Sequence, residues 1–511
     1  MIARPPRLRR AALLVLLGSM TLTACTTPAD EAGPGPGPDP AKVPSGSLAQ
    51  VCDKLPEGPA EVPSGAVRVD PAVPGDLAAK TRSSPPGTTF WLAPGTHKLG
   101  DDRYDQVNPK PGNSYVGAPK AVLDGRKINQ YAFAGNAADV KIQYLTVQGF
   151  VAPHDEGVVN HDSADGWIIE HNAVQDNDGA ALMAGARQQV RGNCLRRNGQ
   201  YGMNAYAQGN RITGLVVEGN EISGNNTGDW ERKIDGCGCT GGIKFWSVDG
   251  ADIRGNWVHD NRGVGLWADT NNNDFLIEGN VIENNDGSAL MYETSYNAVI
   301  RGNTIRRNNW VDGKGYIDRG DSFPVAAIYV SESGGEPRVK ARTDKLEISG
   351  NSFENNWNGV TLWENSDRFC NSPANTSSGS CTRLVPEQAK CAQPGIGAGA
   401  LNADCRWKTQ RVEIHHNRFV LDPAATGCEE SCARMAMLAN FGTFPEWSPY
   451  KGEIVQHAIT FAQGNRLYDN TYSGPWTFVA FEPSRVLGFG EWQGAPYKQD
   501  EGSKFARAGG G

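Results

Sequence analysis

Asp269 and Glu293 are the residues of this 511-residue chain whose types and spacing best suit acid–base or nucleophilic chemistry. They fall at the same place in short segments that align by hand: Gly242-Ile243-Lys244-Phe245-Trp246, Gly265-Leu266-Trp267-Ala268-Asp269 and Ala289-Leu290-Met291-Tyr292-Glu293. With the period of two of a strand, Ile243, Leu266 and Leu290 point inward, as do Phe245, Ala268 and Tyr292. Lys244, Trp267 and Met291 then form one outward column, and Trp246, Asp269 and Glu293 the next. Adjacent strands lie about 4.8 Å apart, so the two carboxyl carbons are expected within about 4.5–6 Å. Two such carboxylates repel, and one is expected to keep its proton near neutral pH. A retaining glycosidase needs this pair, one group attacking the anomeric carbon and the other protonating the leaving oxygen, at about 5–5.5 Å. Trp246 and Trp267 offer flat apolar faces that suit sugar rings. Lys244 is placed to lower a carboxylate's pKa or to bind a substrate hydroxyl, or only to pair with Asp269. Tyr296 and Asn297, at the strand exit after Glu293, are expected on the groove rim. The plainer reading of each acid is a solubilising residue on a wet strand face.

A repeat supplies the strands. Asn172/Asn177, Asn193/Asn198, Asn220/Asn225, Asn256/Asn261, Asn280/Asn285, Asn303/Asn308, Asn351/Asn356 and Asn465/Asn470 are pairs five residues apart, each between apolar stretches. Asn417 with Asp422 is a weaker copy. Recurrence at roughly 20–25 residues marks a solenoid whose single coil cannot bury its own apolar face. An Asn in a left-handed conformation is expected to turn each corner, its amide bonding those of the coils above and below. The repeat in Leu276-Ile277-Glu278-Gly279-Asn280-Val281-Ile282-Glu283-Asn284-Asn285 resembles that of pectate-lyase-like parallel β-helix proteins, from about Cys52 to the C-terminus. The fold expected is all-β, a single right-handed parallel β-helix with loop insertions, over residues 52–505, with coils from about Gly87 to Asn470. Insertions at 226–241, 310–344 and 365–411 interrupt the coils around the Asp269 segments. Such loops usually wall a groove.

Gly265-Leu266-Trp267-Ala268-Asp269 with Leu290-Met291-Tyr292-Glu293 also resembles the active-site coils of β-helical retaining β-xylosidases. That resemblance implies Asp269 as nucleophile and Glu293 as acid/base. The Trp that follows the nucleophile in that family is Thr270 here. Trp492-Gln493 and Gln499-Asp500-Glu501-Gly502-Ser503 resemble the closing segment of β-helical carbohydrate-active proteins. Among lesser candidates, His259 sits in a corner segment, and His161 and Tyr206 fall in the Asp269 column on earlier coils. Glu364 misses the outward parity and reads as structural.

The front of the chain reads as an address. Arg4, Arg7, Arg9 and Arg10 precede an apolar run from Ala11 to Leu22, too short to span a bilayer. Leu22-Thr23-Ala24-Cys25 resembles the lipobox of bacterial lipoproteins, which implies a signal peptide over residues 1–24 and diacylation of Cys25. Residues 25–51 hold a Gly/Pro-rich spacer, and 506–511 a flexible tail. Acyl chains tether a protein without spanning the membrane, so the expected location is extracytoplasmic, anchored to a bacterial cell membrane by lipid only. Lys and Arg number 49 against 57 Asp and Glu, a net charge of −8, which gives a nucleic-acid partner no support. The 11 cysteines leave ten without Cys25. Cys370 with Cys381, Cys391 with Cys405, and Cys428 with Cys432 make plausible local bridges. Cys237-Gly238-Cys239 lacks the partners of a zinc site.

The expected partner is a polysaccharide or oligosaccharide, and the expected state a monomer with no cofactor. Two alternatives stay open. A polysaccharide lyase would use Lys244 or an Arg as base and hold Ca²⁺ with Asp269 and Glu293. A non-catalytic glycan-binding surface lipoprotein would keep Trp246 and Trp267 and be indifferent to loss of the carboxylates. Cys25→Ser should release the protein into the medium, as read by fractionation of cells expressing it; continued membrane association would count against the lipobox.

Overall fold

The structure, a computed structural model, describes residues 50–506 apart from 208, 210, 235–240, 369, 371–380, 386–390, 392–403, 430, 440–445, 447, 449–456 and 481–484. The signal segment, Cys25, nearly all of the spacer, Cys237, Cys239 and the tail after Ala506 lie outside these residues.

Each turn of chain contributes short strands to three sheets. One coil runs through Asn273–Glu278 in the first sheet, Val281–Glu283 in the second and Leu290–Glu293 in the third, and Tyr296–Arg301 then starts the next. Among the described residues the sheets hold 13, 13 and 11 strands. Strand pairs run parallel except where Thr477–Ala480 meets Val486–Leu487. Alternation decides what goes inside: Phe275, Ile277, Ile282, Leu290, Tyr292, Ala298 and Ile300 are all buried. The core therefore lies within the coils and grows with each one.

The stack extends beyond the expected limits at both ends. It starts at Val67–Val69, and the helix Asp76–Ser83 covers its first coils with Leu77 and Thr81, whose hydroxyl lies 3.3 Å from that of Tyr115. It ends with Lys504–Ala506 paired to Thr471–Ser473. There the buried Asp500 accepts hydrogen bonds from Trp492 Nε1 at 2.8 Å and the Tyr472 hydroxyl at 3.0 Å.

The Asn residues form two ladders. Amide-to-amide bonds of 2.9–3.1 Å link Asn172, Asn193, Asn220, Asn256, Asn280, Asn303, Asn351 and Asn417 at the corner between the first and second sheets. A second ladder links Asn177, Asn198, Asn225, Asn261, Asn285, Asn308 and Asn356 where the chain leaves the second sheet. Two expectations need correction. The left-handed residue is the one before the ladder Asn, such as Gly279 (φ 64°) before Asn280 and Gly302 (φ 62°) before Asn303. There a glycine turns the corner without strain, so the Asn is free to point inward. The pair Asn465/Asn470 is also displaced by one corner. Asn470 occupies the rung after Asn417, at 3.1 Å, whereas Asn465 precedes a strand of the first sheet and accepts from Val412 N.

The expected pairs Cys370–Cys381, Cys391–Cys405 and Cys428–Cys432 are disulfides. Cys52–Cys194, 142 residues apart, is a further bridge that no local spacing signals. It fastens the N-terminal segment to the second sheet, where Cys52 N also donates to Glu221 at 2.9 Å.

Asn280 accepts from both Asn256 N and Asn256 Nδ2 and donates to Ile253 O and Asn303 Oδ1, all with buried partners. Asn280→Ala strands these groups, at about 1–3 kcal/mol for each polar group left unsatisfied. It should lower the unfolding midpoint by several degrees in a thermal melt monitored by circular dichroism, far more than Ala in place of an exposed Asn.

Candidate active site

Three neighbouring strands of the third sheet, Ile243–Trp246, Leu266–Thr270 and Leu290–Glu293, carry the central residues. Ile243 pairs with Leu266 and Leu266 with Leu290; Phe245 pairs with Ala268 and Ala268 with Tyr292. All six are at most 3% exposed, so the inward columns are those of the hand alignment. The alignment breaks at one point. The register shifts after Phe245, and Trp246 pairs with Thr270. Asp269 is thus the extra residue of a β-bulge, and Trp246 leaves its column. On the other side the offset is unbroken, since Ala268 pairs with Tyr292 and Asn271 N donates to Thr294 O at 2.9 Å. Asp269 therefore stands opposite Glu293 on adjacent parallel strands.

Each carboxylate is held by its own cation. Lys244 Nζ lies 3.1 Å from Asp269 Oδ2, and the Thr270 hydroxyl donates to Asp269 Oδ1 at 2.9 Å. Glu293 Oε1 is ion-paired with Arg368, and Glu293 Oε2 accepts from Trp267 Nε1 at 3.0 Å. Trp267 connects the two, because its ring also carries the Lys244 ammonium at 4.5 Å from its centroid. Asp269 and Glu293 are only 7% and 8% exposed, under the start of the 365–411 insertion. Further along, that insertion is tied down where Asn271 Nδ2 donates to Cys381 O at 2.7 Å and Arg383 pairs with Asp249.

A third carboxyl completes the cluster. Glu332 follows Ser331, the residue paired with Glu293 on the next strand, and is 1% exposed. Its Oε2 shares Arg368 Nη1 with Glu293, at 3.3 Å, and its Oε1 accepts from Asn365 N at 2.6 Å. Burial pushes this carboxyl up to about 7, against the pull of Arg368 and with the push of the Glu293 charge. Burial also works against the charge of Arg368, but Glu293 and Glu332 more than restore it. Sequence reasoning missed both residues. For Glu332 a signal existed, since Ala327-Ile328-Tyr329-Val330-Ser331 continues the aligned segments by one coil. For Arg368 there was none, because a loop side chain has no period to follow.

Other expected residues lie elsewhere. Tyr296 is 2% exposed and opens a strand of the first sheet, so it does not line a groove rim. Asn297 is fully buried, accepting from Glu336 N at 2.8 Å and donating to Asn273 Oδ1 at 3.0 Å. It braces the 310–344 insertion and has no face for a substrate. His259 is on the second sheet, stacked on Trp257 at 3.9 Å and 2.7 Å from Asp260, away from this cluster. Glu364 is fully buried with Arg406, Thr409 N and Gln463.

Both Asp269 and Glu293 already face a cation, and a metal would have to displace Lys244 and Arg368. Among the described residues, no group of three or more His, Cys, Asp or Glu is arranged to hold a metal ion.

The family model described as "Right handed beta helix region" matches residues 231–372, which include the whole cluster. The chain is a right-handed parallel β-helix. Similar solved structures include the A-module of the Azotobacter vinelandii mannuronan C-5 epimerase AlgE6, 13% identical over 85% of this chain and 94% of that one, with a TM-score of 0.40. The Agl-KA catalytic domain is 11% identical over 89% and 70%, TM-score 0.40. PfbA, a surface adhesin of Streptococcus pneumoniae, is 9% identical over 79% and 84%, TM-score 0.33. No curated protein sequence matches this β-helix.

Glu332 also makes a stability prediction. Between an unfolded carboxyl value near 4.5 and its folded value of about 7, the folded protein binds the extra proton. Its contribution is fully present below the unfolded value and is lost as pH rises through 7, with a slope of at most about 1.4 kcal/mol per pH unit. Glu332→Gln should flatten the fall in urea midpoint between pH 5 and 7.5 relative to the unaltered protein.

Proposed function

We propose that this β-helix is a carbohydrate-active enzyme, a retaining glycoside hydrolase acting on a polysaccharide or oligosaccharide, with Asp269 as nucleophile and Glu293 as acid/base. The observation that carries this reading is the placement of Asp269 at a bulge directly opposite Glu293, one strand away on one face. Strand spacing of about 4.8 Å leaves no room for a water between the two groups, which favours retention over inversion.

Lys244 and the Thr270 hydroxyl grip and aim the Asp269 carboxylate, as a nucleophile requires. Glu293, Glu332 and Asp269 with Lys244 and Arg368 make three acids and two cations, which balance with one proton. That proton belongs to the cluster as a whole, and burial, which lifts the Glu332 carboxyl to about 7, favours its sharing by that group. When a glycosidic oxygen approaches, Glu293 exchanges part of its bond with Arg368 for the proton and passes it to the leaving group. In the second step it takes a proton from water, which opens the glycosyl–Asp269 ester. Trp246 remains as a sugar platform beside the pair, whereas Trp267 acts through its bonds to Lys244 and Glu293. The disulfides support an oxidising, extracytoplasmic location, and Cys25 provides the lipid anchor in this reading.

Asp269→Ala should abolish turnover, and added azide should yield a glycosyl azide of inverted anomeric configuration. Glu293→Ala should slow substrates with poor leaving groups by about 10²–10⁴-fold and activated ones far less. An ultraviolet-absorbing unsaturated product would instead identify a lyase, and full activity in both variants would leave only a binding protein.

A further inference from the structure

The outward face of the third sheet continues from Lys244 towards the N-terminal coils, where a cleft of about 980 Å³ opens. This is at the upper end of the ~300–1,000 Å³ typical of small-molecule sites, and it suits more than one sugar ring. Two of its lining residues reach the carboxylate coils. The ring of Tyr206, 42% exposed, stands edge-on to Trp246 at 6.5 Å, and Arg211 donates to Asn271 O at 3.0 Å, two residues past Asp269.

The cleft is rich in acids. Asp155, Glu156, Asp162 and Asp165 line it against Arg187 and Arg211. Arg187 is taken by Asp165 at 3.5 Å. Asp155 accepts from Gln200 Nε2 at 2.9 Å and the Tyr201 hydroxyl at 3.0 Å, Glu156 from the Tyr131 hydroxyl, and Asp162 from Gly135 N. These neutral donors orient the carboxylates without cancelling their charge. His154 and His161 stand 3.0 and 3.9 Å from Asp155 and Glu156. Tyr131 and His161 stack at 3.7 Å and 22°, which forms a flat platform next to Glu156.

We propose that this cleft binds the glycan chain leading away from the bond held at Asp269 and Glu293, and that this glycan is neutral or amino-bearing, not a polyuronate. Ionised carboxylates only accept hydrogen bonds. Sugar hydroxyls and ammonium groups donate to them, whereas a chain with one carboxylate per ring meets like charge at each step. Tyr206, beside Trp246, and the Tyr131–His161 pair provide ring faces for the sugars. The proposal takes the direction of the chain from the catalytic reading above, but binding is measured separately from turnover.

The test is calorimetric titration of the full chain carrying Asp269→Asn, so that nothing is consumed. The probes are neutral gluco- and xylo-hexasaccharides, a glucosamine hexasaccharide and a mannuronate hexasaccharide. At least one neutral or amino-bearing probe should bind, the mannuronate probe should bind at least about 100-fold more weakly, and Tyr206→Ala should weaken the best ligand by about 10-fold or more. Tightest binding by the mannuronate probe, no binding by any neutral or amino-bearing probe, or unchanged affinity in Tyr206→Ala would overturn it. Binding that depends on Tyr206 without any hydrolysis by the unaltered protein defeats the catalytic reading and leaves this one standing. Asp269-dependent cleavage of a polyuronate does the reverse.

Discussion

The side-chain amide of one Asn bonded to the same amide one coil away is the interaction on which the rest of this β-helix depends. In the first ladder, Asn256 Oδ1 accepts from both the N–H and the amide of Asn220, and Asn256 in turn donates both to Asn280. The groups are buried, so each must be paired or cost the full desolvation of an amide. A slip of one residue would leave the amides unpaired and also turn the apolar face of the coil outward. Apolar burial stacks the coils, but the ladders set their register.

That register gives the bulge at Asp269 its meaning. The ladders hold the coils in step at two corners, so the extra residue between Ala268 and Thr270 is absorbed as a bulge within the third sheet. The strand bends there, Trp246 moves opposite Thr270, and Asp269 is presented beside Lys244. Bulges re-aim a side chain where a regular strand would not. Here the neighbouring strand keeps its offset, so Glu293 stays opposite Asp269 while their surroundings differ.

Those surroundings separate two acids that alternation alone makes equivalent. Asp269 looks to an ammonium and a hydroxyl, Glu293 to a guanidinium and an indole N–H. Arg368 comes from the insertion and is shared with Glu332, the most deeply buried acid of the group. Burial raises the Glu332 carboxyl against the pull of Arg368, with the Glu293 charge adding to the rise.

The sequence by itself determined the parallel β-helical coil, its inward columns and the adjacency of Asp269 and Glu293, because strand alternation and Asn recurrence are local and periodic. It also carried the local disulfides, such as Cys391–Cys405, whose loop is short. Only the tertiary structure decided the rest. A bulge is a break in a period, so Trp246 was placed in the wrong column. Asn465 and Asn470 kept the ladder spacing while the corner they occupy shifted by one. Tyr296 and Asn297 follow Glu293 closely in the chain, yet the turn after the third sheet carries them into the first, where they brace the 310–344 and 365–411 insertions. Arg368 meets Glu293 across 75 residues, through a loop whose path depends on contacts and not on any local repeat. Periodicity fixes what lies one coil away, whereas the cations that tune the acids arrive from segments that have none.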